Sequence, residues 1–249
     1  MKAVISLTQP GTKKIGLMGY GKMGKQLVQL HESLGINSAI LVRSTSNFEY
    51  LQLNSDFSMF TTNLQELMNC DVVIDMLPEN LELKTQILRE FQSEGFLGLI
   101  CTSTSTFTLS NFKMHGIHLT NFSLLHFSNP IHAFKIVEVS NGGLLDNRLL
   151  SIREDYLKAI DRIGVEVPDS RGFIINRLFF SYLREALIMH CCEGVDRDVI
   201  DRVMIGGTGQ KMGPFEVVTL IGRRTTKLVL LSLYGKIEKE VLNFLDESD

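Results

Sequence analysis

Apolar positions in the first half of the chain occur as short runs separated by stretches with helical spacing. The segment that starts at Lys14 opens with the run IGLM, passes through a glycine-rich turn and continues as an amphipathic helix pattern up to Gly35. Further apolar runs lie at 38–43, 71–77 and 96–102, and a helical pattern covers 81–91. Strands that alternate with helices in this way predict a parallel, doubly wound sheet.

Beyond residue 116 the pattern changes twice. Three short apolar pieces, IHL, SLLHF and KIVEVS, predict strands that extend the edge of the sheet, and a helix-like run over 144–163 follows them. From Pro168 onwards helical patterns dominate, over 173–192, 196–204 and from 213 into the charged tail. We therefore predict an α/β, doubly wound Rossmann-type domain over 1–168 and a smaller, all-helical domain over 169–249.

Composition narrows the classes of function. Hydrophobic residues make up 44% of the chain, charged residues 21%, and the formal net charge is −3, which gives no reason to expect nucleic acid or an acidic membrane as a partner. The four cysteines form no CxxC pair and are expected to be reduced thiols of a cytoplasmic protein, with no metal site. The sequence shows neither the apolar core of a secretion signal nor an apolar run of about 18 residues, so we expect no membrane segment.

The glycine-rich turn carries the first candidate chemistry. Gly19, Gly21 and Gly24 form GxGxxG directly after a predicted strand and at the start of a predicted helix. This is the context in which the motif binds the pyrophosphate of a dinucleotide, because glycine lets the backbone approach and the helix N-terminus favours negative charge. A tight turn without a ligand is the alternative. The residues between the glycines are also expected to contact the cofactor: Tyr20, Lys22 and Met23.

Arg43 bears on the choice of cofactor. Dinucleotide-binding domains usually carry an acidic residue about 20 residues beyond the glycines, where it binds the adenosine ribose. Here that position, at the end of the second strand, is Arg43, followed by Ser44 and Thr45. A guanidinium with neighbouring hydroxyls favours a 2′-phosphate, and so NADP over NAD, as the cofactor. The alternative is a solvated arginine at a strand end.

A histidine and a carboxylate in the segment HFSNPIHAFKIVE supply the second candidate. Hydride transfer to or from a carbon that bears oxygen needs a group that handles the proton of that oxygen, and histidine titrates near neutral pH. Glu138 would fix the tautomer of His126 and stabilise its charged form. The two lie 12 residues apart with Pro130 between them, so their spacing alone does not show that they meet. A structural histidine near a strand end is the alternative.

Several sequence blocks, which occur in the same order as in a known family, add to this interpretation. The chain resembles the L-3-hydroxyacyl-CoA dehydrogenases in the blocks DMLPENLELK at 75–84, CTSTST at 101–106, HFSNP at 126–130, KIVEV at 135–139, RGFIINRL at 171–178 and MGPFEV at 212–217. The resemblance implies NAD(P)-dependent oxidation of a 3-hydroxyacyl substrate, with acyl-CoA as the small-molecule partner. It implies His126 as general acid/base, Glu138 as its orienting partner, Ser105 and Asn176 as hydrogen-bond donors to the substrate, and Glu79 and Lys84 as contacts beside the nicotinamide.

The chain also departs from the family pattern. Between Arg43 and the next strand it has about a dozen residues, STSNFEYLQLNSD, where the family carries a long helical hairpin over coenzyme A. Ser103 stands in place of asparagine, and Arg171 in place of proline. These differences keep two alternatives open, namely a reductase of a small free 3-hydroxy or 3-keto acid and an inactive dinucleotide-binding scaffold. The apolar faces of the helix at 173–192 predict a homodimer through the C-terminal helices, with a monomer that has a compact helical cap as the alternative.

Overall fold

A computed structural model describes residues 14–43 and 58–247. The chain divides into two compact units, Met1–Asp169 and Ser170–Asp249. Each unit has its own hydrophobic core. The first unit buries apolar side chains of the sheet and its covering helices, and the second unit buries apolar faces of packed helices.

The first unit is built on one sheet. Within the described residues the strands follow the spatial order β3-β2-β1-β4-β5-β6-β7-β8, and all neighbouring pairs are parallel except β6 and β7. The bounds are β1 Ile15–Met18, β2 Ser38–Leu41, β3 Ser58–Thr61, β4 Val72–Asp75, β5 Leu99–Ser103, β6 Phe122–Phe127, β7 Ile136–Ser140 and β8 Ile163–Glu166. Continuous burial along β1, β4 and β6 is typical of strands covered on both faces.

Helices connect the strands of this unit. They are α1 Lys22–Ser33, α2 Leu81–Ser93, α3 Leu109–Met114 and α4 Asn147–Ala159, with short 3₁₀ turns at Leu64–Leu67 and Ile131–Ala133. Side-chain caps explain where two of them begin. Asn80 accepts from the backbone N–H of Leu83 at the start of α2, and Asp146 accepts from that of Leu149 at the start of α4.

The predicted doubly wound sheet is confirmed, and one predicted strand is wrong. The piece IHL at 117–119 forms no strand. Both backbone groups of His118 are taken by one side chain, because its N–H donates to Gln92 Oε1 at 2.9 Å and its carbonyl accepts from Gln92 Nε2 at 2.8 Å. A backbone satisfied by a helix side chain leaves no polar group for a ladder of hydrogen bonds.

The strand order fixes where a ligand can bind. The chain moves outward from β1 through β2 to β3 and then returns to place β4 on the other side of β1. In open sheets of this kind the crevice lies beyond the carboxyl ends of the strands at that reversal. Met18, Asp75 and Thr102 lie in register at this edge of β1, β4 and β5.

The second unit is helical throughout its described length. Its helices are α5 Ile175–Cys191, α6 Arg197–Thr208, α7 Pro214–Ile221, α8 Arg223–Tyr234 and α9 Lys239–Asp246. Asp201 of α6 accepts from the first-turn amides of Phe215 and Glu216, and a Cβ at Gly213 would lie 2.3 Å from the Asp201 carboxyl group. Glycine is therefore required where α7 meets α6. Over residues 14–43 and 58–247, no helix is long and apolar enough to cross a membrane.

Candidate active site

The GxGxxG turn has the geometry that a dinucleotide requires. Gly19 adopts φ +105°, and a Cβ there would lie 2.9 Å from the carbonyl oxygen of Met76. A Cβ at Gly24 would lie 2.4 Å from the carbonyl oxygen of Gly19. At Gly21, by contrast, a Cβ would meet no atom of the described residues within 4 Å. Gly19 thus packs against the end of β4 and Gly24 against the turn itself, whereas Gly21 faces space that the described residues leave open.

The same turn presents a helix N-terminus to that space. Gly21 is the N-cap residue of α1, no side chain caps the helix, and its first turn contains no acidic residue. First-turn amides and the helix dipole favour an anion here, and the exposed Lys22 adds positive charge. A pyrophosphate therefore fits these residues. Tyr20 packs edge-on against Phe60 at 5.0 Å between ring centroids, and Met23 packs against the core.

Arg43 lies two residues beyond the end of β2 and is exposed. Val42 fixes the strand end, since its N–H donates to the carbonyl of Thr61 at 2.8 Å. The guanidinium therefore extends from a held backbone at the edge where the adenosine ribose binds in such domains. Ser44, predicted beside it, lies outside the described residues, as does the whole segment 44–57 where the family's helical hairpin would be.

His126 and Glu138 meet directly. They occupy opposite positions in the antiparallel pair β6–β7, so both side chains project from the same face of the sheet. His126 Nδ1 lies 2.7 Å from Glu138 Oε2, and both side chains are buried, with 5% and 3% of their surface exposed. A carboxylate only accepts hydrogen bonds, so it fixes the proton on Nδ1. The strand register thus creates the contact that sequence spacing left open.

The connection between these two strands is held by α1. Gln26 Oε1 accepts from the backbone N–H of Ile131 at 2.8 Å, and Gln26 Nε2 donates to Asn129 Oδ1 at 3.1 Å. One amide side chain therefore satisfies both ends of the turn that follows His126. Hydrogen bonds of Gln26 thus connect the helix that begins at the glycine turn to the strand pair that carries the histidine.

The side chain of Glu79 contacts Ser105 at its backbone N–H group. The N–H of Ser105 donates to Glu79 Oε1 at 2.9 Å, and Thr104 and Thr106 donate to the same oxygen. Glu79 is exposed and Ser105 is half-buried. Glu79 therefore binds the loop that carries Ser105, and its predicted contact with the nicotinamide stays a prediction.

Lys84 is engaged within the protein. It is fully buried, and its Nζ donates to Asp75 Oδ2 at 3.1 Å and to the carbonyl of Ser103 at 2.9 Å. Asp75 is equally buried and accepts from Thr102 Oγ1 at 2.5 Å and from the N–H of Leu77 at 2.7 Å. Lys84 is thus a buried counter-ion beneath the candidate site, and its direct contact with a cofactor stays a prediction.

Asn176 belongs to the second unit, in the first turn of α5. Its predicted contact with the substrate stays a prediction. Among the residues at 14–43 and 58–247, no three His, Cys, Asp or Glu side chains are grouped to hold a metal ion.

Sequence reasoning missed several residues of this arrangement. Asp75 carries a visible signal, since it is a lone carboxylate in the apolar run DVVIDML and a buried carboxylate needs a charged or hydrogen-bonding partner. The hydroxyls of CTSTST at the end of β5 are a second signal, because polar side chains at a strand end meet those of the neighbouring strand. Gln26 carries no signal of this kind, because its partners lie more than 100 residues away.

Two family models match successive segments of the chain. The 3-hydroxyacyl-CoA dehydrogenase NAD binding domain matches residues 49–170, and the 3-hydroxyacyl-CoA dehydrogenase C-terminal domain matches residues 172–245. The chain belongs to the 3-hydroxyacyl-CoA dehydrogenase family. The resemblance drawn from the sequence blocks is thereby confirmed. The matched segments begin after the glycine turn and Arg43, so these two features depend on their own sequence and geometry.

Alignments with two relatives cover different shares of those proteins. The mitochondrial hydroxyacyl-coenzyme A dehydrogenase of Rattus norvegicus is 31% identical over 179 residues, which cover 71% of this chain and 56% of the rat protein. That of Mus musculus is 27% identical over 249 residues, which cover 88% of this chain and 79% of the mouse protein. The chain therefore spans little more than half of the rat relative in that alignment.

Solved structures share the fold. FadB2 of M. tuberculosis superposes with a TM-score of 0.83 at 19% identity over 94% of both chains. The (S)-3-hydroxybutyryl-CoA dehydrogenase PaaH1 of Ralstonia eutropha superposes with a TM-score of 0.79 at 23% identity over 90% of this chain and 87% of that one. At these identities the likeness establishes the fold alone.

Proposed function

We propose that this chain is a nicotinamide-dinucleotide-dependent dehydrogenase that interconverts 3-hydroxyacyl and 3-ketoacyl thioesters. The buried His126–Glu138 pair carries the proposal, because the fold sets it in the same sheet as an open glycine turn that suits a pyrophosphate. The membership of both matched segments in one dehydrogenase family supports this chemistry.

His126 handles the substrate proton in this proposal. The nicotinamide ring supplies or accepts the hydride when the cofactor is bound. Glu138 holds the proton on Nδ1, so Nε2 is the nitrogen that takes the proton of the C3 hydroxyl during oxidation and returns it during reduction. Glu138 also stabilises the imidazolium that forms when Nε2 has taken this proton. Ser105 donates a hydrogen bond to the C3 oxygen as its charge develops, and the substrate contact that the family resemblance implies for Asn176 is part of the same proposal.

A steady-state assay tests the reaction. Acetoacetyl-CoA and acetoacetate are offered separately, each with NADH and with NADPH, and the loss of reduced cofactor is followed. We expect turnover of the thioester. The short segment between Arg43 and Ser58 supports the second candidate, a reductase of a small free keto acid, which would turn over acetoacetate only. Inactivity with both substrates, with dinucleotide binding retained, would identify a scaffold.

Arg43 supports a preference for NADP within this proposal. It is exposed at the end of β2, where a guanidinium pairs with a 2′-phosphate through a bidentate fork. We expect NADPH to bind more tightly than NADH in a fluorescence titration, and Arg43→Ala to remove the difference. A preference for NADH of about tenfold, equivalent to about 1.4 kcal/mol, would contradict the assignment.

A homodimer through the helices of the second unit completes the proposal. Apolar side chains stay exposed on several of these helices, including Leu178 at 69% and Leu220 at 73%. Exposed apolar patches of this kind mark association sites. Light scattering after size exclusion is expected to give twice the mass of one chain, and Leu178→Asp is expected to lower it.

A further inference from the structure

Five consecutive residues at the end of β5 are each bonded to one segment, the connection from β4 into α2 at 75–84. The side chain of Thr102 donates to Asp75, and the carbonyl of Ser103 accepts from Lys84. Thr104, Ser105 and Thr106 all donate to Glu79. Thus the loop that carries Ser105 takes its conformation from the neighbouring connection.

Glu79 accepts more of these hydrogen bonds than any other residue of the segment 75–84. Its Oε1 accepts four hydrogen bonds, from Thr104 Oγ1 at 2.6 Å, from the N–H groups of Ser105 and Thr106 at 2.9 and 3.0 Å, and from Thr106 Oγ1 at 2.7 Å. Hydrogen bonds to a carboxylate are shorter and stronger than those to a neutral amide oxygen. An amide at this position would therefore hold the four donors of residues 104–106 less firmly.

We propose that Glu79 is a positioning residue, which sets the hydroxyl of Ser105 toward the substrate oxygen by holding the backbone of residues 104–106. The inference rests on the proposed function, since it gives Ser105 a substrate to meet. It differs from the expectation that the family resemblance provides, in which Glu79 contacts the nicotinamide. The carboxylate oxygen described here is directed at the loop instead.

The physical reason is the precision that a hydrogen-bond donor needs. A donor stabilises a developing oxyanion only where it is already aimed at the position of that oxygen. Ser105 lies in a loop, and loops hold side chains less firmly than strands do. Backbone amides fixed on both sides of the Ser105 Cα, at Ser105 and Thr106, remove that freedom.

A double-mutant cycle tests the proposal. Glu79→Gln is compared with Ser105→Ala and with the double variant, and kcat and the dinucleotide Kd are measured for each. We expect Glu79→Gln to lower kcat on the order of tenfold to a hundredfold, as misplacement of a catalytic group does, with Kd nearly unchanged. The double variant is expected to match Ser105→Ala, because a residue that acts only through Ser105 has no effect in its absence. The matched control is Glu82→Gln, an exposed carboxylate of the same segment, which is expected to leave kcat unchanged.

Amide hydrogen exchange provides a test that needs no activity. Glu79→Gln is expected to speed exchange at Ser105 and Thr106 while α2 keeps its protection, and Thr106→Val is expected to act in the same direction but more weakly. A wild-type chain that turns over no substrate would refute the proposed function and leave this test in place. Unchanged exchange would overturn the positioning role. A dinucleotide Kd raised about tenfold, with effects that add to those of Ser105→Ala, would overturn it in favour of a direct cofactor contact.

Discussion

Two histidines of the first unit are buried almost equally, but one has neutral hydrogen-bond partners and the other lies beside a carboxylate. His31 lies in α1 and is fully buried, and His126 lies in β6 with 4% of its surface exposed. Both hydrogen-bond through Nδ1 at 2.7 Å, His31 to the hydroxyl of Ser38 and His126 to the carboxylate of Glu138. The difference between the two sites is the charge of the partner.

Within the described residues His31 has only neutral hydrogen-bond partners, which do not stabilise its charged form. Its Nε2 meets the hydroxyl of Tyr156 at 3.2 Å, so both ring nitrogens face neutral groups. Burial lowers the pKa of His31 to about 3, because the imidazolium would lose its hydration. The same burial raises the pKa of Tyr156 well above its usual value, which keeps its hydroxyl neutral. The two sites therefore differ in whether a charged group lies beside the buried ring, and only the carboxylate of Glu138 would stabilise an imidazolium.

The same substitution at the two histidines is expected to have very different effects on activity. We expect His126→Gln to lower kcat by about 10²–10⁴, the usual contribution of a general acid/base, and His31→Gln to leave kcat essentially unchanged. The measurement is kcat with acetoacetyl-CoA for both variants, with circular dichroism to verify folding. Equal losses at the two positions would mean that His126 has no special role.

Glu138→Gln would give His126 a neutral hydrogen-bond partner, as His31 has. Glu138→Gln keeps the shape of the partner but removes its charge, so the imidazolium loses its stabilisation and the tautomer is no longer fixed. We expect kcat to fall by about 10² or more, by analogy with the loss of the carboxylate in a catalytic triad. Glu166→Gln is the control, because Glu166 lies on β8 with half of its side chain exposed and pairs with Arg153. Activity close to wild type in Glu138→Gln would contradict the assigned role of the charge.

The pattern of the sequence could not separate these two histidines. The alternation of apolar runs and helical spacing predicted the doubly wound sheet because burial on both faces demands it, as in β4 and β6. His126 was a candidate because it shares a segment with Glu138, and the resemblance to a family added to that assignment, but neither observation shows which groups surround each ring. Their partners depend on strand register and on contacts with distant residues, such as Tyr156, which is 125 positions from His31.

The other contacts of the candidate site were likewise only partly predictable from the sequence. The meeting of β4 and β5 at one edge was predictable from their parallel order, and with it the nearness of the segments at 75–84 and 101–106. Which atoms pair was not, because Glu79 binds the backbone of Ser105 and Lys84 binds that of Ser103. Backbone partners leave no mark in the identity of a residue.

The third prediction concerns stability against pH. His31 has a pKa of about 3 when folded and an ordinary value near 6.5 when unfolded, so the unfolded chain binds one more proton between these values. The free energy of unfolding should therefore fall as the pH is lowered below about 6.5, with a limiting slope of about 1.4 kcal/mol per pH unit from this group. Urea unfolding at several pH values is expected to show a shallower slope for His31→Gln than for the wild type. Parallel slopes would show that His31 takes up a proton in the folded state.

The smallest expected effect separates burial from hydrogen bonding as the cause of the low pKa. Tyr156→Phe removes the hydroxyl beside His31 Nε2 and keeps the apolar ring, so the imidazole stays as buried as before. Since burial alone accounts for the shift, the variant should be less stable by about 1 kcal/mol at each pH, the cost of one hydrogen bond, with the slope unchanged. The measurement is the same urea series. If the slope flattens instead, the hydroxyl of Tyr156 governs the protonation of His31, and the contrast with His126 would depend on the geometry of the hydrogen bond as well as on the charge of the partner.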